Sequence, residues 1–170
     1  MGAMRRPGRR HAVTGLAALV LAAIAPAAAA AGNDALDHVT ATYRQIAWQA
    51  VLETGGGPGL LDGPAERLGR TFDPALAALV LRQQRCQARS QGVCALDFDP
   101  FWDSQDPVGT TVALSPGARA GEVKVVLRQP GGRQTTLVHQ LVQTPAGWRI
   151  ADIRFGGQRP SLKTLLQSNP

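Results

Sequence analysis

Residues 97–106 read Asp-Phe-Asp-Pro-Phe-Trp-Asp-Ser-Gln-Asp, the densest group of chemistry-bearing side chains in the chain. Four carboxylates (Asp97, Asp99, Asp103 and Asp106) sit among three aromatics, with Gln105 beside them. Oxygen-rich loops of this kind bind Ca²⁺ through several carboxylates. The glycine that a Ca²⁺-binding hand needs for its turn is absent, however, and no Glu closes the loop. The plainer reading is a structural turn. Asp99 caps the turn that Pro100 starts, Phe101 and Trp102 plug the core, and Asp103 and Asp106 hold backbone N–H groups. A third reading makes Asp97, Asp99, Asp103, Gln105 and Asp106 a contact for a ligand or partner. No metal and no cofactor is expected.

The other reactive side chains are sparse. Cys86 and Cys94 are the two cysteines, with seven residues between them. The spacing is not Cys-x-x-Cys, and no His or further Cys lies near enough in sequence to complete a metal set. An even pair in an oxidising compartment reads as a disulfide. No Ser/His/Asp or Cys/His set is recognisable. Proton transfer needs a buried acid/base pair facing one cavity. The candidates are His139, Asp152, Tyr43 and Arg154. Each also has a structural reading: His139 as a hydrogen-bonded core histidine, Asp152 paired with Arg154, and Tyr43 as a core residue with its hydroxyl bonded. His38 reads as a surface residue.

These residues must be positioned by helices first and strands after. Asn33 or Asp34 can cap a helix to about Glu53, whose stripe includes Leu36, Val39, Tyr43, Ile46, Ala47 and Ala50. The Gly55–Gly59 run, broken only by Pro58, lacks the ending of a phosphate loop and reads as a connector. A short helix is expected over 64–70. Asp73 and Pro74 open another, to about Arg89, with Leu76, Leu79, Val80 and Gln83 inward. After residue 107 the pattern alternates. Strands are expected at 110–114, 122–129, 135–144 and 148–155, the last three joined by short Pro/Gly turns as an antiparallel meander. Ser161 caps a short closing helix. The order predicts an α+β domain.

Residues 1–31 read as a cleaved signal peptide and residues 32–170 as one domain. Arg5, Arg6, Arg9 and Arg10 precede an uncharged apolar run, Val13–Ile24, and small residues follow. The apolar run is shorter than the roughly 20 residues that span a bilayer. A periplasmic or secreted location is therefore expected, with Arg9-Arg10 leaving the twin-arginine route open beside general secretion. The signal also carries four of the 18 basic residues and none of the 12 acidic ones. The remainder is nearly balanced, with no basic stripe. Nucleic acid is excluded as an expected partner, and no membrane span is expected after cleavage.

Phe72-Asp73-Pro74 with Leu76 and Leu79, followed by the Asp-x-Asp-Pro-Phe-x-x-Ser-Gln-Asp run, resembles the YbjP/YqhG-type bacterial envelope proteins of a domain-of-unknown-function family. Leu141-Val142-Gln143-Thr144 and Gly147–Ile153 resemble the end of a nuclear transport factor 2-like cone. The resemblance covers roughly residues 35–167. It implies N-terminal helices packed on a strongly curved antiparallel sheet, with a pocket at the mouth. Some members are lipoproteins; no lipid-accepting Cys stands here. If the face that His139 shares with Leu137 and Leu141 and the face that Asp152 shares with Trp148 and Ile150 both line such a cone, His139 and Asp152 could meet. Cone folds host enzymes and binding modules alike. The expectation is an exported, non-enzymatic module that holds an envelope protein or a small apolar ligand. The alternative is a cone enzyme doing acid/base chemistry on a small apolar substrate.

Overall fold

The computed structural model describes residues 27–52, 59–90 and 94–168. The basic and apolar segments of the expected signal, the loop 53–58 and Gly92 lie outside the described residues. The first helix, α1, spans Ala27–Ile46 and continues as a 3-10 turn, Ala47–Ala50. It starts within the alanine run, the best of helix formers. Asn33 and Asp34 therefore lie inside the helix and do not cap it. A 3-10 turn at Leu60–Asp62 leads to α2 (Ala65–Thr71) and α3 (Pro74–Ser90). Asp73 opens α3 as expected, its carboxylate accepting the Leu76 N–H at 2.7 Å.

The strands are β1 (Thr111–Pro116), β2 (Glu122–Arg128), β3 (Gln134–Thr144) and β4 (Gly147–Arg154), followed by α4 (Leu162–Gln167). They form one antiparallel sheet in sequential order, β1-β2-β3-β4. Ser161 caps α4 by accepting the Thr164 N–H. Val123, Val125 and Leu127 of β2 and Leu137, His139 and Leu141 of β3 turn inward. They meet Val39, Tyr43 and Ile46 of α1 and Leu76 and Val80 of α3 in one core. Phe72, Phe101 and Trp102, all essentially inaccessible, are among the largest side chains there. No helix among the described residues is long and apolar enough to cross a membrane.

The expected strongly curved cone sheet is not what forms. The sheet is flat and open, with β1 and β4 as its two edges. Strong bending needs bulges or glycine kinks repeated within strands. Here there is a single register shift, between Gln140 and Leu141 against β4, where Ala151 is the extra residue. The positive-φ glycines lie at turns or, for Gly147, at the first residue of a strand. With no cone there is no cone mouth. The edges also differ. Outside β4, the α2–α3 junction lies alongside: Phe72 bridges Ile150, Asp73 N–H donates to the Ile150 carbonyl at 2.9 Å, and Arg149 Nε donates to the Gly69 carbonyl. No strand or bridge lies outside β1 among the described residues.

Candidate functional site

The 97–106 segment is a turn pinned from several sides. Asp99 Oδ1 accepts the Phe101 N–H at 2.8 Å, and its carbonyl accepts the Trp102 N–H at 3.2 Å. Gln49, in the 3-10 turn that continues α1, holds both key residues. Its Nε2 donates to Asp99 Oδ2 at 3.3 Å, and its Oε1 accepts Trp102 Nε1–H at 2.7 Å. Burial pushes the Asp99 carboxyl up to about 6; the Phe101 N–H and Gln49 bonds pull against the rise, and the nearby Asp62 charge adds to it.

The remaining acids diverge. Asp103, left-handed at φ 48°, pairs with Arg159, whose guanidinium also lies 4.7 Å over the Phe98 ring. Asp106 holds the Val108 N–H. Gln105 donates to the Asp97 carbonyl at 2.6 Å, and the Asp97 side chain is exposed. Among the described residues no three His, Cys, Asp or Glu side chains come together to hold a metal ion. Cys86 and Cys94 are joined as a disulfide.

Of the acid/base candidates, Tyr43 and His139 meet and Asp152 does not join them. Tyr43 O–H donates to the Phe101 carbonyl at 2.7 Å, and its oxygen lies 3.4 Å from His139 Nε2. Since the tyrosine proton is committed to Phe101, the tautomer that fits carries its proton on Nε2. His139 Nδ1 is then a buried acceptor without a partner among the described residues. The ring is fully enclosed, edge-on to Tyr43 and tilted against Phe101. Burial drives its pKa down to about 3, with a smaller contribution from His38. His38 is not a free surface group: it is half-buried, with Nε2 3.1 Å from the Thr71 carbonyl.

The bulge at Ala151 separates Asp152 from this cluster. Ile150 and Ile153 both turn inward, three positions apart, so Asp152 leaves the Ile150 face on which strict alternation would put it. Asp152 Oδ1 accepts the Lys163 N–H at 2.9 Å, in the first turn of α4, and the Ile153 N–H at 2.8 Å. Arg154 pairs across β3 with Glu122 at 2.8 Å, not with Asp152.

Two clefts remain. A polar one of about 370 Å³ lies between the Leu60–Asp62 turn, α3 and residues 96–100; Asp62, Gln83, Asp97, Asp99 and Gln105 line it. An apolar one of about 380 Å³ lies between the end of α1 and β1, lined by Tyr43, Ala47, Val51, Trp102, Val112 and Leu114. Thr110 also lines it, 7% exposed, with a buried hydroxyl that has no partner among the described residues. Sequence reasoning missed Gln49 and Thr110, polar residues whose neighbours come from distant segments. Tyr43, Ala47 and Ala50 of the helix stripe and the alternating Val112 and Leu114 are the parts of this lining that the sequence pattern marks as apolar faces.

The expected membership of the YbjP/YqhG-type, cone-fold group does not hold: no family model matches the chain, and the flat sheet is not that fold. No curated protein matches either. One solved structure is similar, a phospholipid-binding protein from Ralstonia solanacearum in complex with a phospholipid. It is 17% identical over 83% of this chain and 84% of that chain, with a TM-score of 0.38, too distant to carry an argument about this one.

Proposed function

We propose that this chain is an exported, non-enzymatic binding module of the cell envelope that holds an apolar small molecule in the cleft between α1 and β1. The cleft is the observation that carries the reading. Its volume falls within the roughly 300–1,000 Å³ of small-ligand pockets. Its walls are apolar side chains with a few polar groups, the composition such pockets have. Val51, 74% exposed, lies on the rim, where an apolar occupant would shield it from water. The acid/base alternative has less support. His139 is sealed in the core, Tyr43 is committed to the Phe101 carbonyl, and Asp152 holds the start of α4. Export rests on the charge and hydropathy pattern of residues 1–31.

Trp102 lines the cleft and reports on it. Titration with 12-bromododecanol should quench tryptophan fluorescence saturably, and Ala47→Phe, which fills the cleft from its rim, should abolish the quench. Absence of saturation, or equal quenching of the filled variant, defeats the reading. N-terminal sequencing of extracytoplasmic protein tests export, and a chain there that retains Arg5–Arg10 counts against it.

A further inference from the structure

The polar cleft belongs to neither the aromatic core nor the apolar cleft, with which it shares no lining residue. Its lining holds three carboxylates, Asp62, Asp97 and Asp99, and no lysine or arginine. Acidic residues alone would say little. The second observation is Gln83, a lining residue only 6% exposed. Its Oε1 accepts the Ala95 N–H at 2.9 Å, while its Nε2 has no acceptor among the described residues. Turning the amide over would set an NH₂ group against the Ala95 N–H, so the assignment is fixed by the backbone. A buried donor in this state calls for an acceptor brought from outside the fold. The cleft therefore presents two complementary needs: an exposed Asp97 carboxylate with no donor among the described residues, flanked by the charges of Asp62 and Asp99, and an amide that wants an acceptor.

We propose that this cleft binds a small organic ammonium that also carries a hydrogen-bond acceptor, the ammonium at the Asp97 carboxylate, with Asp62 and Asp99 as flanking negative charges, and the acceptor at Gln83 Nε2. The Asp97 carboxylate makes no hydrogen bond or ion pair with the other described residues, so it is available to a ligand. A bare metal ion suits the site less well, because it needs several oxygens converging on one point and no such group forms among the described residues. Spread acceptors match the several N–H and O–H groups of an organic ligand. The Cys86–Cys94 bond ties the end of α3 to the segment carrying Leu96–Asp99, so two walls of the cleft are joined covalently.

The test is calorimetric titration of the full chain with ethanolamine, glucosamine and glycinamide, each an ammonium with an acceptor. N-acetylglucosamine is the uncharged counterpart, and CaCl₂ is run separately. At least one of the three should bind saturably, while N-acetylglucosamine should not. Asp97→Asn and Asp62→Asn should each weaken binding about tenfold or more. Both keep the fold. Asp97 is exposed, and the amide oxygen introduced by Asp62→Asn still offers an acceptor to the Gly59 N–H, which the Asp62 carboxylate holds at 3.0 Å. Gln83→Leu should also weaken binding; if it does not fold, the two carboxylate variants decide. Silence from all three ammonium probes overturns the proposal. So does equal binding of N-acetylglucosamine, or binding of Ca²⁺ that displaces the ammonium.

Discussion

Two titrations of opposite sign, at the fully enclosed His139 and the half-buried Asp99, should partly offset each other in the wild-type protein as pH falls. The perturbation that exposes this is His139→Gln, which keeps an N–H near the Nε2 position and does not titrate. The imidazole titrates near 3 in the fold against an ordinary 6.5. Between those values the unfolded chain binds a proton that the native chain refuses. Stability therefore falls as pH drops below 6.5, by about 1.4 kcal/mol per pH unit, until it levels near pH 3. From pH 7 to pH 5 the loss is about 2 kcal/mol. Asp99 works the other way. Its folded value of about 6 stands above the ordinary 3.8, so the native state binds the extra proton and stability rises as pH falls through that window. From pH 7 to pH 5 that gain is about 1 kcal/mol. His38, lowered chiefly by burial, adds to the loss on acidification. From His139 and Asp99 together, wild type should lose only about 1 kcal/mol over this range, while His139→Gln should gain about that much. Asp99→Asn should lose about 2 kcal/mol. The baseline of Asp99→Asn will be lower too, because its amide faces the Gln49 Nε2 donor. The slope, not the baseline, is the readout. Urea unfolding at pH 7, 6 and 5 at fixed ionic strength, followed by tryptophan fluorescence, measures it. Parallel curves for wild type and His139→Gln would refute the reasoning.

Phe101→Ala should destabilise by about 3–5 kcal/mol in urea, since it empties the centre of the aromatic cluster. Asp152→Ala should cost about 1–2 kcal/mol through the lost Lys163 N–H bond at the start of α4, and Asp152→Asn should recover most of it. Breaking Cys86–Cys94 by Cys86→Ser with Cys94→Ser should cost about 2–3 kcal/mol, the loop-closure value for so small a ring, read as a lowered urea midpoint at unchanged slope.

Much of the chain was legible before its structure. Asp73-Pro74 marks the start of α3 because a cap and a fixed φ act locally. The four strands follow from alternation, and the 97–106 turn from Asp-Pro chemistry next to large aromatics. What failed was what alternation cannot carry. The Gly147–Ile153 run specifies a strand but not the curvature of the sheet around it, and curvature was inferred from likeness. The single bulge at Ala151 shifts every later side chain of β4, which moved Asp152 from a supposed acid/base pair to the end of a helix. Gln49 reads in sequence as one more polar helix residue. Its role appears only when Asp99 and Trp102, some fifty residues on, fold against it.

The unequal edges of the sheet decide how the protein can associate. An extended chain can add to β1, whereas the outer side of β4 is already bridged by the Phe72–Asp73 junction. Polymerisation through strand pairing needs two free edges on each subunit, one to receive and one to offer. With one, pairing of β1 with a second β1 closes on a two-fold axis and stops at a dimer. Pro116 at the end of β1 shortens even that template, since it has no N–H to give. The native sheet is thus built to terminate growth, and fibre formation would have to begin by tearing the α2–α3 junction away from β4.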